Sequence, residues 1–359
     1  MKKWQFDKQF LERNINEGII LLNDNELDKL ERSIIKNDLK TLKQYLTGDF
    51  ESYNTSIKNF KSLEKLKKYV LIKAQNIYIT LGKELIDWII DLNNENPFYD
   101  IQDTKKTKIS ISKQVELTLK NYENNSKYLL NYAKQILSSQ PTSQIQIIKD
   151  LEVGSYCHYS DIAKIPLILI DTTESPNTLN HETQHAIEYF LPYKTHEFFN
   201  ELGAIYFELL FLDLLFNEQG FLYNGDYGER LQEVSYEINT LAEYFELIKI
   251  FAKYNFNIET KHFINLFEKY MFVEENKLIG FLNEEIASES IEYNILYLLS
   301  SLKAIELRNK NSILKTDSIN ILKPHIKYPK FNFNIPDNYL KIYELYIEEM
   351  KQKTKKKRR

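Results

Sequence analysis

Cysteine is nearly absent: Cys157 is the one thiol in 359 residues. An internal disulfide and a cysteine-based zinc site are thereby excluded. Glycine (9) and proline (8) are scarce for this length. Few turns and long uninterrupted segments follow, so a mostly helical protein is expected. No run approaches the roughly 20 apolar residues of a membrane span. A formal charge of −4 shows no basic bias, so nucleic acid is not an expected partner. Met1-Lys2-Lys3-Trp4 is basic but lacks the apolar core of a signal peptide. The expectation is a cytoplasmic protein with no membrane partner. What is present is a soluble globular balance, 43% hydrophobic and 27% charged, long enough for one large domain or two ordinary ones.

Residues 1–143 carry helical patterns. Ile34, Leu39, Leu42 and Leu46 suit an amphipathic helix ending near Gly48. Leu63, Leu66, Val70, Ile77, Leu81, Leu85 and Ile89 predict one helix over 56–93, and Leu117, Leu119, Leu129, Leu130 and Ile136 another over 112–138. No catalytic constellation stands out here, so this half is expected to be a scaffold or cleft wall. Beyond Pro141 the pattern changes. Gly154 to Tyr159 suits a loop or edge strand. Ile165-Pro166-Leu167-Ile168-Leu169-Ile170 is a short apolar, β-branched run that suits a buried or edge strand, and its proline favours the edge. Ser175-Pro176 then signals a helix start, with serine as N-cap and proline at the first helical position. That helix should run to Pro192. Residues 351–359, rich in lysine and arginine, suit a disordered solubilising tail.

On the helix after Ser175 lies His181-Glu182-Thr183-Gln184-His185, which reads H-E-x-x-H. Histidines four apart project from one helix face and can share one metal ion. Glu182 can reach a water on that ion without being a ligand. Such a pattern arises by chance in roughly one chain in a hundred of this composition, so its context decides its meaning. The next helix, over about 195–217, is mostly apolar yet keeps Glu201 beside Gly203-Ala204. An acid retained there faces something specific. Glu197 and Glu208 fit a solvated face. His158 suits an exposed loop.

From Gly154 to Phe216 the chain resembles the M3 family of zinc oligopeptidases, most closely its oligoendopeptidase F-like branch. Gly154-Ser155-Tyr156-Cys157 is similar to the family's segment before the edge strand, and Ile165 to Ile170 to its substrate-side strand. Ser175 through Ala186 resembles its zinc helix, and Glu197 through Leu210 the helix after it. Ser290-Ile291-Glu292-Tyr293-Asn294-Ile295-Leu296-Tyr297 resembles its tyrosine segment. The chain departs from the family at Gln184, usually glycine, and at Glu188, often histidine. Asn283 to Ala287 lacks the glycines and histidine of the family's loop. The chain is also shorter than is usual for the family.

The resemblance implies a mainly α, zincin-like metallopeptidase with a small β element beside the H-E-x-x-H helix. Its catalytic region would span 144–350. One Zn2+ ion would be held by His181, His185 and Glu201, leaving a position for water. Glu182 would be the general base. Tyr297 would donate a hydrogen bond to the oxyanion, with Tyr293 one turn before it. Strand 165–170 would hold an extended peptide by backbone pairing, so short peptides are the expected substrates. A second class stays open: a degenerate peptidase-like protein that binds peptides or a partner without turnover.

Overall fold

The structure, a computed structural model, describes residues 8–23, 27–47, 60–95, 105–138, 145–148, 154–171, 174–191, 197–283, 290–327 and 339–355. It is mainly α with one small sheet. Helices α1 (Lys8–Leu22) and α2 (Lys29–Thr47) form a hairpin. Helix α3 (Leu63–Glu95) starts later than the 56–93 pattern suggested, and it is interrupted at Gly82 with φ 78°, a conformation that suits glycine. The single helix expected over 112–138 is two, α4 (Ile111–Asn125) and α5 (Lys127–Ser138). Ser126 divides them. Its backbone is extended and its amide bonds to the Tyr122 carbonyl, while its hydroxyl accepts from the Leu129 amide. Serine can cap in this way where an apolar residue could not.

Strands β1 (Ile145–Ile148), β2 (Tyr156–Ser160) and β3 (Ile165–Asp171) follow in the spatial order β1-β3-β2. Strand β3 is therefore central, parallel to β1 and antiparallel to β2. This corrects the edge assignment of Ile165–Ile170. Proline is tolerated because β1 pairs only with Ile168 to Asp171. On that side Pro166 lies beyond the ladder and withholds no hydrogen bond.

Helix α6 (Thr178–Glu188) carries the H-E-x-x-H sequence. Its N-cap is Asn177, not Ser175. The Ser175 hydroxyl instead donates to the Asp226 carbonyl at 3.3 Å. Pro176 lies in the turn before the helix. The remaining helices are α7 (Glu197–Gln219), α8 (Asn224–Lys253), α9 (Thr260–Tyr270), α10 (Glu275–Phe281), α11 (Ser290–Leu314), α12 (Ser318–Lys327) and α13 (Tyr339–Lys355).

One large apolar core runs from Leu66 of α3 to Met350 of α13, so helices before and after the sheet share it. A smaller core joins α1 and α2 to Ile162, Leu167 and Leu169. Strand β3 separates the two: Leu167 and Leu169 face the hairpin, whereas Ile168 and Ile170 face the main core. The two-residue alternation of a strand produces this split, and burial on both faces explains the unbroken apolar run. Asp38 of α2 fastens the hairpin to the sheet. Its buried carboxylate accepts from the Ser160 hydroxyl at 2.9 Å and the Ile162 amide at 2.8 Å, and pairs with His158 Nε2 at 2.9 Å. His158 is thus a strand residue tied to the hairpin rather than an exposed loop histidine.

Residues up to Lys355 of the basic C-terminal run continue α13, where Lys353 Nζ bonds to Asp213 at 2.6 Å. Residues 356–359 lie outside the described residues. Among the described residues, no helix is long and apolar enough to cross a membrane.

Candidate metal centre

Helices α6 and α7 pack closely because Gly203 lacks a side chain at their contact. A Cβ at that position would meet Glu188 Oε1 at 3.2 Å and Gln184 Nε2 at 3.4 Å. This approach brings His181, His185 and Glu201 together. One ligand atom from each lies within 4.8 Å of the other two. The two imidazole Nε2 atoms are 3.2 Å apart. Glu201 Oε2 is 3.7 Å from His181 Nε2, and its Oε1 is 3.7 Å from His185 Nε2.

The outer nitrogens face carboxylates. His181 Nδ1 is 3.1 Å from Glu208 Oε2, and His185 Nδ1 is 3.7 Å from Glu188 Oε2. With a proton on each Nδ1, both Nε2 lone pairs point to the space shared with Glu201. Glu201 Oε2 is buried and has no hydrogen-bond partner among the described residues. Three converging acceptors, one of them orphaned, repel one another unless a cation lies between them. Tetrahedral zinc, with bonds of roughly 2.0–2.1 Å to histidine, spaces two such nitrogens about 3.3 Å apart. The donor set therefore fits the metal that the sequence suggests.

The surrounding charges favour a cation. Burial opposes protonation of His185, but Glu188, Glu201 and Glu182 outweigh it and push the ring up to about 10. Burial likewise raises the Glu182 carboxyl above the ordinary carboxylate range, partly offset by the two histidines. Glu182 is only 6% exposed. Burial would raise Glu208 too, but Arg230 and His181 hold it down at about 2.

Glu208 overturns one sequence expectation. It is 3% exposed, not on a solvated face. It accepts from Arg230 Nη2 at 2.8 Å and Nε at 3.3 Å. Arg230, on α8, was not singled out in the sequence. Its position in a long charged helix carries no local signal, and only the tertiary arrangement, with α7 and α8 both packed on α11, pairs it with Glu208. The Glu197 side chain lies outside the described residues.

Tyr297 lies on α11. Its ring carries the Arg230 guanidinium at 4.7 Å and stacks on Tyr293 with centroids 5.6 Å apart. Tyr293 is half exposed, yet desolvation of its phenol and then Glu201 raise it above the ordinary tyrosine range, so Tyr293 shares the field of the histidine-carboxylate cluster. Glu237 of α8, also missed in the sequence, is pushed up to about 9 by burial, and its Oε2 has no hydrogen-bond partner among the described residues. Strand β2 borders the same cluster. The Cys157 thiol on it is raised by burial and by Glu182 and Glu188.

No protein-family model and no curated protein matches this sequence. Two solved structures are similar to it. One is described as an oligoendopeptidase F from Bacillus anthracis str. Ames, with 13% identity and a TM-score of 0.42 over 95% of this chain and 70% of that one. The other, an oligoendopeptidase F crystallised by microfluidic seeding, has 12% identity and a TM-score of 0.41 over 97% of this chain and 66% of that one.

Proposed function

We propose that this protein is a zinc-dependent metalloendopeptidase acting on short peptides. The observation that carries the reading is the convergence of His181 Nε2, His185 Nε2 and the orphaned Glu201 carboxylate on one point. His181, His185 and Glu201 would hold one Zn2+ ion. Bound zinc supplies Lewis-acid polarisation of the scissile carbonyl and acidifies the attacking water.

Glu182 is the general base. Its raised proton affinity suits it to take a proton from the attacking water and return it to the leaving amine nitrogen. The oxyanion hydrogen bond is assigned to the tyrosine pair on α11. Tyr297 is the residue the sequence suggests, and Tyr293 shares the field of Glu201 and Glu182. Both phenols are donors in their neutral form. With both sides of β3 paired, peptide backbone pairing is assigned to the outer edge of β2, which no strand covers among the described residues. Main-chain pairing is largely indifferent to side chains, which suits short peptides of varied sequence. A cytoplasmic setting goes with this reading.

The test is metal analysis plus hydrolysis of a quenched-peptide library, wild type against Glu182→Gln. One zinc per chain and a loss of at least ~10²-fold in the variant are expected. Equal activity in both would remove Glu182 from the mechanism. Peptide binding without turnover by zinc-loaded wild type would instead favour a binding protein.

A further inference from the structure

The two ligand histidines are supported differently. Behind His181 stands Glu208, itself clamped by Arg230. Behind His185 stands Glu188, which has no arginine among its contacts in the described residues. A chain of neutral groups runs back from it instead. The Tyr122 hydroxyl of α4 donates to Gln184 Oε1 at 3.1 Å, and the Gln184 amide bonds to Glu188. The direction of the chain is set by chemistry. Gln184 Nε2 is the end that lies beside Glu188 Oε1 over Gly203, and an amide NH2 group only donates. Oε1 is then left to accept from Tyr122.

Each member is held in place. Tyr122 is fully buried and stacks on Phe207 of α7 with ring centroids 4.7 Å apart. Next to it, Asn121 Nδ2 donates to the Phe207 carbonyl at 2.9 Å and to Asn180 Oδ1 at 3.0 Å, which ties α4 to both α7 and α6. Gln184 is 1% exposed. Gly203 leaves the space that Glu188 Oε1 and Gln184 Nε2 occupy. Gln184, in the interior of the H-E-x-x-H sequence, is therefore a working part of the site rather than a spacer.

We infer that Glu188, oriented by the Gln184–Tyr122 chain, is a positioning residue that keeps the His185 proton on Nδ1 and presents Nε2 to the metal. The inference rests on the metal-centre reading above. Glu188 at 3.7 Å from Nδ1 acts as an ion-pair partner. It raises the donor strength of the imidazole and restricts its rotation.

The experiment measures zinc and cobalt affinity by chelator competition, together with the visible spectrum of the cobalt form. Wild type, Glu188→Gln, Glu188→Asp and Gln184→Met are compared. Glu188→Gln is expected to weaken binding by roughly 10–100-fold and to shift the cobalt spectrum. Glu188→Asp should recover part of both. Gln184→Met leaves Glu188 in the chain but removes its support, so it should move both readouts in the same direction and less far. It also keeps the test open should Glu188→Gln fold poorly. Wild type that binds no stoichiometric metal would overturn the metal-centre reading and this inference with it. Wild type that binds one zinc, with both Glu188→Gln and Gln184→Met matching it in affinity and cobalt spectrum, would overturn the positioning role alone.

Discussion

Replacing Arg230 with Met keeps most of the side-chain stem and removes the charge. Glu208 then loses two hydrogen bonds and its main counter-charge while 4% exposed at the side chain. Arg230 and His181 together hold its carboxyl down from 4.5 to about 2 against burial, a difference worth about 3 kcal/mol that the two partners share. Breaking one side of a buried ion pair typically costs about 3–5 kcal/mol, in agreement. Loss of the guanidinium stacked on Tyr297 adds about 1 kcal/mol. The expected loss at pH 7 is therefore about 3–5 kcal/mol. Its pH dependence has a definite sign. A carboxyl depressed in the folded state stabilises the fold above its unfolded value, and that stabilisation fades as pH falls through the folded value. The gap between wild type and variant should narrow between about pH 4.5 and about pH 2. Urea unfolding at pH 7 and pH 3, with chelator present throughout, measures it. Adding Glu208→Gln to the variant should restore part of the loss, because the uncompensated charge is gone. A gap below about 1 kcal/mol at pH 7, or one constant with pH, would refute the reasoning.

Two further outcomes are expected elsewhere in the molecule. Asp38→Ala strips the shared acceptor from His158, Ser160 and the Ile162 amide and should cost about 3 kcal/mol. Hydrogen exchange should speed up in α1 and α2 while α6 and α7 keep their protection; uniform acceleration would contradict the clamp. For Glu237, pushed up to about 9 by burial, the sign is reversed: its contribution is whole below the unfolded value near 4.5 and is lost as pH rises through the folded one. Glu237→Gln should match wild type in stability near pH 5 and exceed it near pH 9. A stability difference that does not change with pH would rule this out.

Much of the site was legible because it is local. Two histidines four apart on a helix share a face whatever surrounds them, so His181 and His185 needed no tertiary knowledge. Glu201 stood out as an acid in an apolar helix beside a glycine, and Gly203 does lie where α6 and α7 touch. Glu208 was equally acidic and seven residues further on, yet it was assigned to solvent. Its partner Arg230 lies 22 residues away on another helix, and nothing in the intervening sequence announces the pairing. Strand β3 was recognised by its β-branched run, but its place in the sheet depended on β1, a four-residue strand with no pattern of its own. Ser126 divided a helix that periodicity alone had joined, since one capping hydroxyl outweighs a continuous apolar stripe.

By itself, then, the sequence determined the helical class, through scarce glycine and proline and three- and four-residue apolar spacing. Residue type and helix geometry also placed His181 and His185 on one face and marked Glu201 as an acid facing something specific, while its place as third ligand is what the resemblance to the M3 family implies. The tertiary structure alone decided which carboxylate stands behind each histidine. It also decided that Gln184 is tied to Tyr122, and that the free edge of the sheet beside α6 belongs to β2. The reason is range: helix periodicity constrains neighbours within a turn, whereas the ion pairs and hydrogen bonds that tune this site join residues tens of positions apart. Those partners are chosen by how α4, α6 and α7 pack on one another and how α11 packs on both α7 and α8.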